Sequence, residues 1–184
     1  MMREIAPDPK YPQAYYRYLA TYYGSRDYFE CHDIMEEYWK EQPNARHTGC
    51  WLVFIRIAVA CYHARRGNWA GARKMMAKAA AEADAALMSE LGMDGHALAS
   101  LLASTLREWE RESAVYRDLP LPIADPALER GSQQLCAANG WTWDTPLYLV
   151  AEDIVNRHLT RDRTPVVEAR RQSAERKRQA RSRP

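Results

Sequence analysis

Two histidines and one glutamate have the residue types and the spacing that chemistry requires. His32 and Glu36 are four residues apart, so a helix would bring both side chains to one face. His63 lies on a later segment, directly after Tyr62. The three side chains could hold a ligand or a metal ion, or a histidine and the carboxylate could exchange protons in a cleft beside Tyr62 and Trp39. The residues alone leave these chemistries open.

A buried polar network is the alternative to a functional site at these positions. Arg56 interrupts the apolar run of residues 51–60, and His63 follows it seven residues later on the same helical face. Since an unpaired charge is too costly to bury, we expect Arg56 to pair with Glu36 between the two histidines. The sequence thus predicts one candidate pocket or buried polar cluster, made of His32, Glu36, Trp39, Arg56, Tyr62 and His63.

The sequence contains no established metal or redox motif. A metallopeptidase would show H-E-x-x-H and a di-iron bundle would show paired E-x-x-H, and neither pattern occurs. The four cysteines lack a C-x-x-C pair, which argues against a zinc knuckle or a thioredoxin-like site. We therefore predict no metal, no cofactor, and reduced thiols that are mostly buried.

Helix caps and apolar residues at helical spacing run through most of the chain. Pro12 suits a first helical position, and Asp27 followed by Glu30 resembles a capping box. Gly67 and Asn68 supply a C-cap and the next N-cap in two residues, which is typical of an αα-hairpin. The patterns predict helices over residues 12–23, 27–42, 48–66, 69–91 and 94 to about 120, and a last helix after Pro146.

Prolines and glycines concentrate between residues 118 and 145, where we expect a surface segment with at most a short helix. No segment alternates polar and apolar residues over the length of a convincing strand. The fold class is therefore predicted to be all-α, a multi-helical bundle of five or six helices with an αα-hairpin at Gly67-Asn68.

Charge and hydropathy separate a folded domain from a basic tail. From Arg157 onward the chain has nine Arg and one Lys against three acidic residues. We expect residues 1–159 to form one domain and residues 160–184 a flexible tail that attracts polyanions weakly and without specificity. The apolar run of residues 50–64 is too short for a membrane span and the N-terminus lacks a secretory signal, so we expect a cytoplasmic protein.

Aromatic residues are abundant, with eleven tyrosines and six tryptophans. Five tyrosines fall within the predicted first helix and face several directions, so a single bundle should have difficulty burying all of them. Aromatic side chains also concentrate in interfaces. We therefore expect a homo-oligomer or protein-partner contact through this helix, carried by Tyr15, Tyr16, Tyr18, Tyr22 and Tyr23.

The pattern Y-F-E-x-H-x-x-x-E-x-x-W at residues 28–39, paired with Y-H-x-x-R-G-N at residues 62–68, resembles a bacterial and archaeal family known as domain of unknown function 309. The resemblance covers about residues 24–90. It implies a small multi-helical bundle and no particular activity. The residues that fall on the family's motif positions are His32, Glu36, Trp39, His63, Gly67 and Asn68.

Taken together, these patterns favour a non-enzymatic binding or scaffolding module with a buried polar cluster. The alternative is a small-ligand or hydrolase-like enzyme whose pocket contains His32, Glu36 and His63. Because no established catalytic motif accompanies these residues, the sequence does not identify a substrate.

Overall fold

The fold is all-α, as the sequence predicts. A computed structural model describes residues 10–160, which form nine α-helices and one 3-10 turn at Leu147–Leu149. The helices are α1 (Gln13–Tyr23), α2 (Tyr28–Glu41), α3 (Thr48–Ala64), α4 (Trp69–Glu82), α5 (Ala85–Glu90), α6 (Gly95–Trp109), α7 (Pro126–Ala138), α8 (Glu152–Val155) and α9 (Arg157–Thr160). The expected count of five or six was too low, because several short helices occur where none or one was predicted.

Helix starts follow the capping residues. Asp27, Asn68 and Asp94 each accept a hydrogen bond from the backbone of the following turn, and the caps at Asp27 and Asn68 are those that the sequence predicts. A cap of this kind stabilises a helix by about 1 kcal/mol. Asp84 does the same for Leu87, and this cap was not foreseen. It divides the helix predicted over residues 69–91 into α4 and α5.

The αα-hairpin at Gly67-Asn68 is confirmed. Gly67 has a φ of 73°, a left-handed conformation that side chains other than glycine adopt at a cost. Asn68 then caps α4 through its Oδ1, which accepts from the Gly71 backbone at 3.0 Å. The connection is short, so α3 and α4 pack against each other as antiparallel neighbours.

Helix α3 forms the centre of the bundle. Its apolar residues include Phe54, Ile57 and Ala60, all fully buried, and burial extends around most of the helix. A helix that is apolar on all sides must be surrounded by other elements. Helices α2 and α4 both pack against it, α1 packs against α2 and α7, and α6 contacts α4 and α5.

The tyrosines of α1 lie inside the bundle. Tyr15, Tyr16, Tyr18 and Tyr22 are fully buried and Tyr23 nearly so. The premise that one bundle could not bury them was wrong. The tyrosines are surrounded by α2, α3, α7 and the extended chain at residues 119–121. The oligomer or partner contact that was inferred from this helix stays a prediction.

Three further predictions need correction in the second half of the chain. Helix α6 ends at Trp109 rather than continuing towards residue 120. Where at most a short helix was expected, α7 extends over 13 residues, because Asp125 caps it and Pro126 occupies its first turn. The last predicted helix is replaced by the 3-10 turn, α8 and α9, since Val150 has an extended backbone.

Within residues 10–160, no helix has both the length and the apolar character needed to cross a membrane. The basic tail predicted at residues 160–184 lies outside the described residues apart from Thr160. Its expected attraction to polyanions therefore stays a prediction, as does the boundary of the domain at residue 159.

Candidate ligand-binding cleft

Helices α2, α3 and α9, with the turn between α3 and α4, enclose a cleft of about 500 Å³. This volume lies in the range of sites that bind small organic molecules. The cleft combines an aromatic and aliphatic floor with a rim of nitrogen-bearing side chains. Its lining residues are Tyr28, Phe29, His32, Val59, Tyr62, His63, Arg66, Asn68 and His158.

The floor of the cleft is mostly aromatic and apolar. Phe29 meets the Tyr62 ring edge to face, with ring centroids 5.8 Å apart. Tyr28 is fully buried beneath them, and Val59 of α3 packs on the core from the same side. Aromatic and branched side chains of this kind offer an apolar ligand a surface with little conformational freedom to lose.

His158 connects the C-terminal segment to α3 through Tyr62 and Arg66. Its Nδ1 lies 2.5 Å from the Tyr62 hydroxyl oxygen, and its backbone N–H donates to the same oxygen at 3.1 Å. Its Nε2 lies 3.0 Å from Nη2 of Arg66. Since a guanidinium only donates, Nε2 is the acceptor and the neutral imidazole carries its proton on Nδ1. The Tyr62 oxygen therefore accepts both hydrogen bonds.

Two consecutive arginines fix this segment against the end of α3. Arg65 donates to the backbone carbonyl of Ile154 at 2.9 Å, and its guanidinium lies 4.7 Å from the centre of the Tyr28 ring. Nε of Arg66 donates to Oδ1 of Asn156 at 3.1 Å. Hydrogen bonds from a charged donor are stronger than neutral ones, so they define the position of α8 and α9 at the cleft.

His63 is held neutral at the cleft edge. Nδ2 of Asn68, which only donates, lies 3.1 Å from Nδ1 of His63, so the His63 proton is on Nε2. Burial, followed by the nearby Arg66 guanidinium, lowers the pKa of His63 below its ordinary value of 6.5. Gly71 lies against this ring, because a Cβ at that position would be 3.0 Å from its Cγ. The α3–α4 hairpin thus positions His63 tightly.

Three of the six predicted site residues line the cleft, namely His32, Tyr62 and His63. His32 also contacts the adjacent Asp33, whose Oδ1 is 3.0 Å from its Nδ1. Trp39 is partly buried against the core and does not line the cleft. The structure thus brings one histidine of α2 and one of α3 to the same cleft as Tyr62.

The predicted pair of Arg56 and Glu36 does not form. Glu36 is partly exposed and contacts Lys40, with 3.2 Å between its Oε2 and the Lys40 Nζ, while Arg56 pairs with Glu82 of α4. Arg56 and His63 do share a face of α3, but that face borders α4, so the neighbour assumed for it was wrong. The expectation that Glu36 is a buried charge of the cluster was therefore also wrong.

The predicted site lacks Arg66, Asn68 and His158, which also line the cleft. Arg66 lies within the Y-H-x-x-R-G-N pattern, so its position offered a signal. His158 gave none, because it meets Tyr62 across 96 residues of chain. Within residues 10–160, no three or more His, Cys, Asp or Glu side chains form a group that could hold a metal ion.

Another cleft, of about 670 Å³, lies on the side of the C-terminal segment that carries Ile154 and Arg157. Its lining includes both basic and acidic side chains. Nε of Arg157 lies 3.3 Å from Oδ2 of the buried Asp27, so opposite charges already meet there within the chain. This cleft is therefore less suited to binding a charged ligand than the cleft at His158.

Comparison with known proteins defines the family. A family model described as domain of unknown function (DUF309) matches residues 16–75. The chain is also 40% identical over 173 residues to the uncharacterized protein YpuF of Bacillus subtilis (strain 168). The aligned region covers 93% of this chain and 99% of YpuF. The chain belongs to the DUF309 family. This confirms the resemblance noted in the sequence.

The DUF309 match spans most of the polar rim of the cleft. His32, Tyr62, His63, Arg66 and Asn68 all fall within residues 16–75, whereas His158 falls outside them. No solved structure matches the chain. The function of the cleft in this DUF309 protein is therefore inferred from the geometry of the cleft itself.

Proposed function

We propose that this DUF309 protein is a non-enzymatic small-molecule-binding domain. Its cleft would take an organic anion with an aromatic or other flat apolar body. The observation that carries the proposal is the combination, in one cleft of about 500 Å³, of the floor at Phe29 and Val59 with the cation of Arg66. Sites for small molecules generally combine an apolar surface with a few convergent polar groups.

The charge of the lining supports an anion. Among the described residues, those that line the cleft include one permanent cation, Arg66, and no Asp or Glu. His63 is neutral near pH 7 because its pKa is lowered, and His158 is neutral in the contact with Arg66. A cationic ligand would meet the repulsive charge of Arg66 without a compensating carboxylate among these lining residues, whereas an anion would be attracted to it.

Arg66 keeps donors for such a ligand. A guanidinium has five N–H groups, of which one on Nε serves Asn156 and one on Nη2 serves His158. The remaining N–H groups suit a carboxylate or a phosphate, which accept two parallel hydrogen bonds from this side chain. Arg66 can therefore bind an anion without releasing the C-terminal segment.

The hydrolase-like alternative has less support. It required Glu36 beside His32 and His63, and the Glu36 carboxylate contacts Lys40 instead. A binding role needs no acid–base pair. The contact of α1 with a protein partner and the attraction of residues 160–184 to polyanions remain separate proposals, to be tested by the oligomeric state in solution and by the salt dependence of DNA binding.

Fluorine NMR with small probes tests the binding role. We expect 4-fluorobenzoate or 4-fluorophenyl phosphate to bind the full-length protein with a dissociation constant on the order of 1 mM or below, as befits fragments of this size. The Arg66→Gln variant should bind at least about tenfold more weakly, because it loses the charge-assisted hydrogen bonds.

The matched control is Arg107→Gln, since Arg107 is exposed on α6 and away from the lining of the cleft. It should bind as the parent protein does. Absence of binding by either probe, or binding that Arg66→Gln leaves unchanged, would contradict the proposal. The two probes also distinguish a carboxylate-selective from a phosphate-selective site.

A further inference from the structure

The hydroxyl of Tyr62 stands in an unusual hydrogen-bonding position. A tyrosine hydroxyl has one proton to donate and an oxygen that can accept. Its oxygen accepts from Nδ1–H and from the backbone N–H of His158, at 2.5 and 3.1 Å. Both contacts use the oxygen, so neither uses the hydroxyl proton.

Arg66 determines this arrangement. If the proton of His158 were on Nε2, it would face a donating N–H of Arg66 at 3.0 Å, which is repulsive. The guanidinium therefore selects the Nδ1–H tautomer of His158, and that tautomer in turn makes Tyr62 an acceptor. Arg66 thus determines, through His158, that the Tyr62 hydroxyl accepts from His158 and does not donate to it.

The proton of Tyr62 is left for a ligand. Within the part of the chain that the structure describes, all hydrogen-bond contacts of the Tyr62 hydroxyl are those with His158. The side chain lines the cleft, and the Arg66 guanidinium lies 5.2 Å from the centre of its ring. A hydroxyl donor and spare guanidinium donors thus border the same space.

We infer that Tyr62 is the specificity-determining hydrogen-bond donor of the cleft. The ligand carries an anionic group with at least two acceptor oxygens on one central atom, and this group binds Tyr62 and Arg66 together. A carboxylate or a phosphate monoester has this chemistry. The inference rests on the proposed binding function and adds to it the group that the cleft selects. A ligand with a donor or an apolar atom at this point would leave the hydroxyl proton without a partner, which costs affinity.

A pair of probes that differ only in the anionic group tests the inference. 4-Fluorobenzoate and fluorobenzene share the ring, and fluorine NMR reports the affinity of each for the full-length protein. In Tyr62→Phe, the affinity for 4-fluorobenzoate should fall about ten- to a hundredfold, the loss that corresponds to one hydrogen bond to a charged group. The affinity for fluorobenzene should change by less than about twofold, because the apolar floor is intact.

The control variant is Tyr148→Phe, which removes the hydroxyl of a tyrosine that is 84% exposed and outside the cleft. It should bind both probes as the parent protein does. Equal losses for the two probes in Tyr62→Phe would show that Tyr62 acts through shape, and unchanged binding of 4-fluorobenzoate would show that its hydroxyl is not used. Either result overturns the inference.

The two proposals fail in distinguishable ways. If the parent protein binds 4-fluorobenzoate through Arg66 but Tyr62→Phe binds it equally well, the binding function stands and the role of Tyr62 falls. If neither probe binds the parent protein, both fall together.

Discussion

Two tyrosines of α1, Tyr18 and Tyr22, use their hydroxyl in the opposite way to the tyrosine of the cleft. Tyr18 donates its proton to the Phe54 carbonyl at 2.9 Å, and Tyr22 donates to the Leu119 carbonyl at 2.8 Å. Tyr62 instead accepts twice from His158 and keeps its proton. At Tyr18 and Tyr22 the hydroxyl satisfies a carbonyl of the core, whereas in the cleft it is available to a molecule from outside. The difference separates a structural tyrosine from one suited to recognition.

Burial reinforces the contrast. Burial raises the pKa of Tyr18 and of Tyr22 well above the usual value, so both hydroxyls keep their protons near neutral pH and can donate them. The residues that supply the carbonyl acceptors, Phe54 and Leu119, are buried in the same closed environment. Tyr62 is itself only 7% exposed, but it lines the cleft, where water can occupy the place of a ligand. Removing a hydroxyl should therefore affect stability on one side of the molecule and binding on the other.

The largest expected effect is the loss of an α1 tyrosine. Tyr18→Ala should reduce the free energy of unfolding by about 3–5 kcal/mol, because it leaves a large cavity at a fully buried site. Urea unfolding measures the change. Tyr148→Ala, at a position that is 84% exposed, should stay within about 0.5 kcal/mol of the parent protein. A loss below about 1 kcal/mol for Tyr18→Ala would mean that α1 is not part of a closed core.

Removing single hydroxyls sharpens the comparison. Tyr22→Phe leaves the buried Leu119 carbonyl without its donor and should cost about 1–3 kcal/mol of unfolding free energy. Tyr62→Phe should cost less than about 1 kcal/mol, since water in the open cleft can replace the lost oxygen. Thermal and urea unfolding of both variants give the two values. Equal losses would erase the distinction between the core and the cleft.

Asn68 tests whether a polar residue of the cleft is also structural. Asn68→Ala removes the N-cap of α4 and should cost about 1 kcal/mol of unfolding free energy. Asn68→Asp keeps a capping oxygen and should retain that stability, but it replaces the donor to His63 by a carboxylate. If circular dichroism melting shows equal losses in the two variants, the cap is not the reason for the effect.

The smallest expected effect is the pH dependence due to His63. Its pKa in the folded protein is lowered by burial and by Arg66, so the unfolded chain binds the proton more tightly than the folded protein does. Neutral His63 therefore contributes stability to the folded protein at pH values above 6.5, the ordinary pKa of histidine. This contribution is lost as the pH falls from 6.5 through the lower pKa that His63 has in the folded state. His63→Gln should lose less stability over this range in urea titrations at successive pH values. An identical pH dependence in the variant would contradict the assignment.

Local patterns predicted the elements well where a cap and an apolar stripe agreed. Asp27 and Asn68 began helices as expected, whereas Asp125 with Pro126 was interpreted as part of a loop because prolines surround it. Pro126 in fact occupies the first turn of a helix, the position where its missing N–H has no cost. Such a proline is ambiguous until the apolar spacing after it is considered.

The site was predictable only as far as helical faces are. Periodicity correctly assigned Arg56 and His63 to one face of α3, but it does not say which helix lies against that face, and α4 rather than α2 provides the partner of Arg56. His158 could not be predicted at all, because its contact with Tyr62 depends on a chain reversal that no local pattern encodes. Tertiary neighbours decide a site, and a single sequence specifies them weakly.

The central claim, an anion-binding cleft at Arg66 and Tyr62, is tested most directly by the ring resonances of the histidines. The chain has five, of which His32, His63 and His158 line the cleft, whereas His47 and His96 lie elsewhere. Titration of the histidine-labelled protein with 4-fluorobenzoate at constant pH should shift the ring signals of the three cleft histidines and leave the other two unchanged. Shifts confined to His47 and His96, or shifts of the same size at all five, would contradict a specific site at this cleft.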